Sequence, residues 1–177
     1  MPEFARTTTQ MQRRRRSIAM DEAELDAFLH ACLTCRLATY GGSGFPHVSP
    51  VWFVWHDNAV WISSLVRSQR WVDIAASPRV SAVFDTGERY GQLRGVRIDG
   101  IATPVGDIPR TAREDPRVAE PERLLTHKYT ERGDPKPDGR HAWLRIDPVK
   151  ISSWDHSKIA AARAAKRAAA RSDGAEQ

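Results

Sequence analysis

Between Cys35 and Asp85 the chain repeats one pattern, a short apolar run followed by a turn signal. Residues 35–40 read as a first strand and end at Gly41-Gly42-Ser43-Gly44, a hairpin-type turn. Residues 46–55 read as a second strand. Val48, Pro50, Trp52 and Val54 fall on one side of it, and Val51, Phe53 and Trp55 on the other. Both faces are apolar, so this strand is expected to be buried on both sides or to lie under a ligand. His56-Asp57-Asn58 turns the chain into a third strand over residues 59–63. A short helix is expected over residues 68–76. A fourth strand follows over 79–85, where Val80, Ala82 and Phe84 alternate. Residues 93–105 form a fifth strand, with Gly95 and Gly100 as bulge or close-approach points. Residues 141–147 and 150–154 read as two more short strands around the Asp147-Pro148 break. Short strands at roughly 8–12-residue spacing point to a small antiparallel barrel with appended helices.

The 177 residues suffice for one domain with a real core. Helices are expected over residues 21–31, where Leu25, Phe28 and Leu29 share a face, and over 122–129. Residues 131–140 read as a flexible loop. Three parts are expected: a disordered basic tail over 1–17, a globular unit over 18–156, and an Ala/Arg-rich helix and tail over 157–177. Residues 1–16 hold five arginines against Glu3, and residues 157–177 hold five basic residues against two acidic ones. The net +5 therefore belongs to the tails, and residues 17–156 stand at −2. A folded nucleic-acid surface needs basic side chains on the domain itself. The stripe of Arg163, Arg167 and Arg171 has alanines rather than apolar anchors opposite it. Neither a specific nucleic acid nor a membrane is an expected partner. No apolar run is long enough to span a bilayer. Residues 1–20 lack the apolar centre of a secretory signal, so a cytoplasmic location is expected.

Cys32 and Cys35 form a CxxC, but helix precedes strand, the reverse of the thioredoxin order. No second CxxC exists, and the histidines show no HxH or HxxxH spacing. The two cysteines are expected to be small buried hydrophobes, and no metal site is expected.

The stretch Ser63-Ser64-Leu65-Val66-Arg67-Ser68-Gln69-Arg70-Trp71 crowds hydroxyls and guanidiniums onto a strand-to-helix turn. Free backbone N–H groups and the helix dipole favour an anion there. Hydroxyls and arginine forks add charge-assisted contacts to phosphate. The same turn also fits an ordinary surface helix capped by Ser68.

The runs Arg36-Leu37-Ala38-Thr39, Pro46-His47-Val48-Ser49-Pro50-Val51-Trp52-Phe53-Val54 and Ser77-Pro78-Arg79-Val80 resemble the pyridoxamine 5'-phosphate oxidase-like split β-barrels. Leu93-Arg94-Gly95-Val96-Arg97 and Ile151-Ser152-Ser153-Trp154-Asp155 extend the likeness, which covers about residues 18–156. It is greatest to the actinobacterial branch that uses FMN or the deazaflavin F420. The resemblance implies an α+β, mainly β fold: a six- to seven-stranded antiparallel split β-barrel with peripheral helices. It implies a cofactor, F420 or FMN, whose phosphate is held by Ser64, Ser68 and Arg70, with Ser63, Gln69 and Trp71 beside them. It lays the ring along the second strand at Val48, Ser49, Pro50 and Val51. It also implies a homodimer with the cofactor at the interface, within reach of Trp154. Pyridoxamine-phosphate oxidases proper carry Arg and Lys on the second strand. Val48 and Phe53 stand at those positions here, which argues against that substrate. Pro50-Val51 matches the F420 branch, and Arg67, Arg94 and Arg97 are candidates to meet the acidic tail of F420.

In this reading the protein is an oxidoreductase in which the cofactor carries a hydride to a small organic acceptor. The alternative is a non-catalytic flavin- or haem-binding carrier or sensor. Asp99, His47 and Tyr129 have proton-donor chemistry, but no catalytic residue stands out. The six tryptophans are expected mainly in packing.

Overall fold

The structure, a computed structural model, describes residues 16–42, 44–111, 113–129 and 137–161. Most of the 1–17 tail, most of the 131–140 loop, and the 159–171 helix beyond residue 161 lie outside the described residues.

Helix α1 (Glu22–Ala31) starts at a reciprocal cap. Asp21 Oδ1 accepts from the Glu24 amide and Glu24 Oε2 accepts from the Asp21 amide, each at 2.8 Å. Its buried Phe28 and Leu29 close one side of the core. The strands are β1 (Cys35–Tyr40), β2 (Pro46–Val51), β3 (Val54–His56), β4 (Ala59–Leu65), β5 (Arg79–Thr86), β6 (Arg94–Val105) and β7 (His141–Asp155). Among the described residues the other regular elements are helices α2 (Gln69–Ala76) and α3 (Ala119–Lys128), helical residues 157–161, and single 3-10 turns at Arg16–Ile18 and Tyr90–Gln92. All seven strands join one antiparallel sheet in the order β2-β1-β5-β6-β7-β4-β3.

That order explains the run the sequence shows as one long strand over 46–55. β2 and β3 follow each other with Trp52 and Phe53 between them, yet they lie at opposite edges of the sheet. The sheet must curl until its two edges meet at this corner, which makes it a half-barrel. Tyr129 pins the corner. Its hydroxyl accepts from the Phe53 amide (3.1 Å) and approaches the carbonyls of Phe53 (2.9 Å) and Leu33 (2.6 Å). Its ring stacks on Trp52 at 4.5 Å and 5°.

The interior of the curl holds the main core. Leu37, Ala82 and Ile98 run across β1, β5 and β6 in register, and Ile62, Leu144 and Phe84 pack with them. A second cluster on the outer side of β4 joins Trp61 and Trp143 to Val118, Leu125 and Tyr129 at α3. The expectation of burial on both faces fails for β2 within the single chain. It is an edge strand, and Val48 is 58% exposed on the outer face. β7 is continuous rather than two strands. A register shift at Asp99/Gly100 absorbs Pro148, because a bulge tolerates a residue that cannot donate to the ladder. Gly95 is a close-approach point, since a Cβ there would run into the Trp154 ring.

Cys32 and Cys35 are buried free thiols in the main core. Burial raises both, Cys35 from 9.0 to about 12. Burial likewise raises Tyr129 from 10.0 to about 12. A group whose pKa is higher when folded loses its contribution as pH climbs from the unfolded value to the folded one. Stability should therefore fall between pH 9 and 12. Lys128, which burial lowers from 10.5 to about 8, acts in the opposite sense between those values. Thermal melts across this range should show the loss, with a shallower slope for Cys35→Ala.

The packed N-terminal anchor begins at Ile18 and Met20, both buried, and the Met20 amide donates to Ser153 Oγ at 2.9 Å. Deleting residues 1–17 spares both. We expect the melting temperature to stay within about 2 °C. A larger drop in differential scanning calorimetry would show that the deleted segment contributes to packing.

Candidate functional site

The end of β4 and the start of α2 form the strand-to-helix turn read from the sequence. Ser68 is the N-cap of α2: its hydroxyl accepts from the Trp71 amide (3.4 Å) and donates to the Leu65 carbonyl (2.8 Å). The capping role is therefore real, and it coexists with a polar cluster. Arg70 points back across the turn. Its Nε donates to Ser64 Oγ at 2.9 Å and its Nη1 to Ser49 Oγ at 2.7 Å. The Ser64 and Ser68 hydroxyls lie 3.4 Å apart. Ser49 arrives from β2, where it shares the inward face with Leu37 of β1. Four of the expected binding residues thus converge from three elements.

The cluster suits a phosphate. Arg70 is half-buried, and desolvation lowers its pKa from the ordinary arginine value. Among the described residues no carboxylate lies within 4.0 Å of its guanidinium. A partly desolvated cation without a counter-charge is costly, and an incoming anion removes that cost. The serine hydroxyls can rotate to donate to it.

The other expected residues are distributed differently. Ser63 faces the opposite side of β4 from Ser64, by strand alternation. Gln69 donates to Asp73 Oδ1 (2.8 Å), Trp71 packs against the main core, and Val51 is buried in it. Val48 and Trp154 both line a groove of about 490 Å³ on the outer face of the sheet, with Leu93, Arg36 and Arg94. Pro50 shares that face and is exposed. Three arginines were candidates for the acidic tail. Arg94 pairs with Asp155 (2.9 Å) and Arg97 with Asp99 (3.2 Å), whereas Arg67 is exposed. Phe53, at the position of the missing lysine, is fully buried and turned into the core.

One buried group escaped the sequence reading. Asp73, 2% exposed, sits one helical turn after Arg70. It accepts from Gln69 and, at 2.8 Å, from Thr39 Oγ1. These donors hold its carboxyl below the ordinary 3.8. Its i+3 spacing from Arg70 was the signal available.

The fold is a split half-barrel with an arginine-centred hydroxyl cluster at its strand-to-helix turn. The sequence pattern of the pyridoxamine 5'-phosphate oxidase family matches residues 21–155, and the chain belongs to that family. Among solved structures it resembles a conserved hypothetical protein from Mycobacterium tuberculosis, at 28% identity and a TM-score of 0.71, covering 84% of this chain and 93% of that one. The haem storage protein HutZ from Vibrio cholerae shares the fold at 17% identity and a TM-score of 0.63, covering 77% and 97%. An F420 reductase does so at 20% identity and 0.56, covering 72% and 94%. No curated protein matches the sequence. No described helix is long and apolar enough to cross a membrane.

Proposed function

We propose that the chain is a flavin- or deazaflavin-dependent oxidoreductase that grips the cofactor phosphate with Arg70, Ser49, Ser64 and Ser68. The observation that carries this reading is Arg70: half-buried, fanned by hydroxyls, and facing no carboxylate among the described residues. A ring would lie along β2, whose outer backbone edge faces no further strand. Val48 and Trp154 lie on the opposite, outer face of the sheet from Arg70 and Ser49, so a ring held at the Arg70 cluster would not rest on them within one chain. A bound flavin or F420 would supply hydride transfer to a small organic acceptor. The protein supplies the anchoring charge and the hydroxyls around it. A second copy of the chain would cover the exposed outer face of β2.

F420 is the favoured cofactor, from Pro50-Val51 on β2 and the neutral Val48 and Phe53. The test is titration with FMN and with F420, read by absorbance, followed by turnover with quinone and enone acceptors. F420 should bind more tightly. Its margin should shrink as salt is raised, because Arg67 is exposed and its contact with the tail would be screened. Equal or tighter FMN binding, with no hydride transfer from reduced F420, would make this an FMN protein. Binding without turnover would make it a carrier.

A further inference from the structure

Of Asp99, His47 and Tyr129, two are committed to structure. Tyr129 pins the corner between β2 and β3. Asp99 accepts from Ser81 (2.6 Å) and pairs with Arg97. His47 is placed differently. It lies on the inward face of β2, two residues before Ser49, so the two side chains project side by side about 7 Å apart. Its Nδ1 faces a buried acceptor: Asp73 Oδ2 is at 3.7 Å, and Thr39 Oγ1 is at 3.5 Å. The Asp73 side chain is 3% exposed and that of His47 is 36% exposed. Gly41 makes the Asp73 position possible, since a Cβ there would run into the carboxylate.

The groups around the imidazole are accounted for on each packed element. β1 supplies Thr39; α2 supplies Asp73, with Gln69 behind it and Arg70 one turn away. The buried Asp73 carboxylate and the Thr39 hydroxyl, both on the Nδ1 side, orient the ring. Nε2 then lies across the ring, on the side away from Asp73. Such a placement orients a histidine for acid–base work.

We propose that His47 is the proton donor of the reaction and that Asp73 and Thr39 are its positioning residues. This rests on the oxidoreductase reading above. With an enone acceptor, the hydride from the reduced cofactor adds to the β-carbon. The electron pair of the C=C bond moves toward the carbonyl, and Nε2–H of His47 delivers the proton that completes the saturated ketone. The cofactor ends two electrons more oxidised, and solvent returns the proton to the imidazole.

The test has two arms on the full chain. In the first, diethyl pyrocarbonate labels the wild-type protein with and without bound FMN or F420, and peptide mass spectrometry reads each histidine. His47 should be labelled in the free protein and protected when the cofactor is bound, while His30 and His56, at a surface cleft that shares no lining residue with the Arg70 cluster, serve as internal references. In the second, His47→Ala should lower kcat with cyclohexenone about 100-fold, with KM and cofactor affinity changed less than about threefold, and added imidazole should restore about tenfold. Asp73→Asn should lower kcat in the same direction with KM unchanged. A His47 that stays reactive under bound cofactor, or a His47→Ala enzyme with unchanged kcat or with a loss that imidazole does not relieve, overturns the assignment. Failure of wild-type protein to bind either cofactor, or to turn over any acceptor, overturns the oxidoreductase reading itself.

Discussion

Arg70→Ala should weaken binding of FMN or F420 about 10–100-fold, the loss of a charge-assisted phosphate contact worth ~1.5–3 kcal/mol. The structure sets up this sensitivity in two ways. The guanidinium is held in place before any ligand arrives, by Ser64 at 2.9 Å and Ser49 at 2.7 Å, so little side-chain entropy is lost on binding. It also faces no carboxylate among the described residues, so a phosphate displaces no existing ion pair. Arg70→Lys should recover only part of the loss, because an ammonium keeps the charge but cannot bridge Ser64 and Ser49 as a planar fork does. Isothermal titration of each variant with FMN and with F420 decides the matter. Wild-type affinity in Arg70→Ala for both ligands would mean the phosphate is held elsewhere.

Local patterns on this chain were readable where one residue type dictates one geometry. Asp21 and Glu24 announce the start of α1, and both halves of their reciprocal cap form. β1 ends at Tyr40, before the glycine turn. Arg70, Ser64 and Ser68 were visible because the strand, the cap and the helix lie within seven residues of one another. What was not readable depends on distance along the chain. Nothing between Val51 and Val54 reveals that β2 and β3 lie at opposite edges of the sheet, because that corner is held by Tyr129, 76 residues away from Phe53. Pro148 reads as a break because proline cannot donate to a ladder, and only the opposing shift at Gly100 lets β7 run through it. The pairing of His47 with Asp73 also needs tertiary structure. A hairpin turn at Gly41 and the packing of α2 on β1 bring them together, and neither residue has a motif of its own.

Phe53→Ala should be the most damaging core substitution at the corner that closes the half-barrel. The ring is fully buried and meets Phe84 edge-on at 4.6 Å. The Lys128 ammonium sits 3.9 Å from its centroid. Truncation removes a large apolar side chain and leaves a cavity between elements that cannot easily collapse, because Tyr129 fixes the Phe53 backbone on both its amide and its carbonyl. Removing a buried phenylalanine costs about 3–5 kcal/mol, and a domain of this size loses roughly 2–4 °C per kcal/mol, so the melting temperature should fall on the order of 10 °C. The loss also strips Lys128 of a cation–π contact while leaving its charge partly buried. Phe53→Leu refills most of the volume, and its penalty should be under half that of alanine. A small effect of Phe53→Ala in calorimetry would mean that the two sheet edges are held at this corner by Tyr129 and Trp52 rather than by the core beneath them.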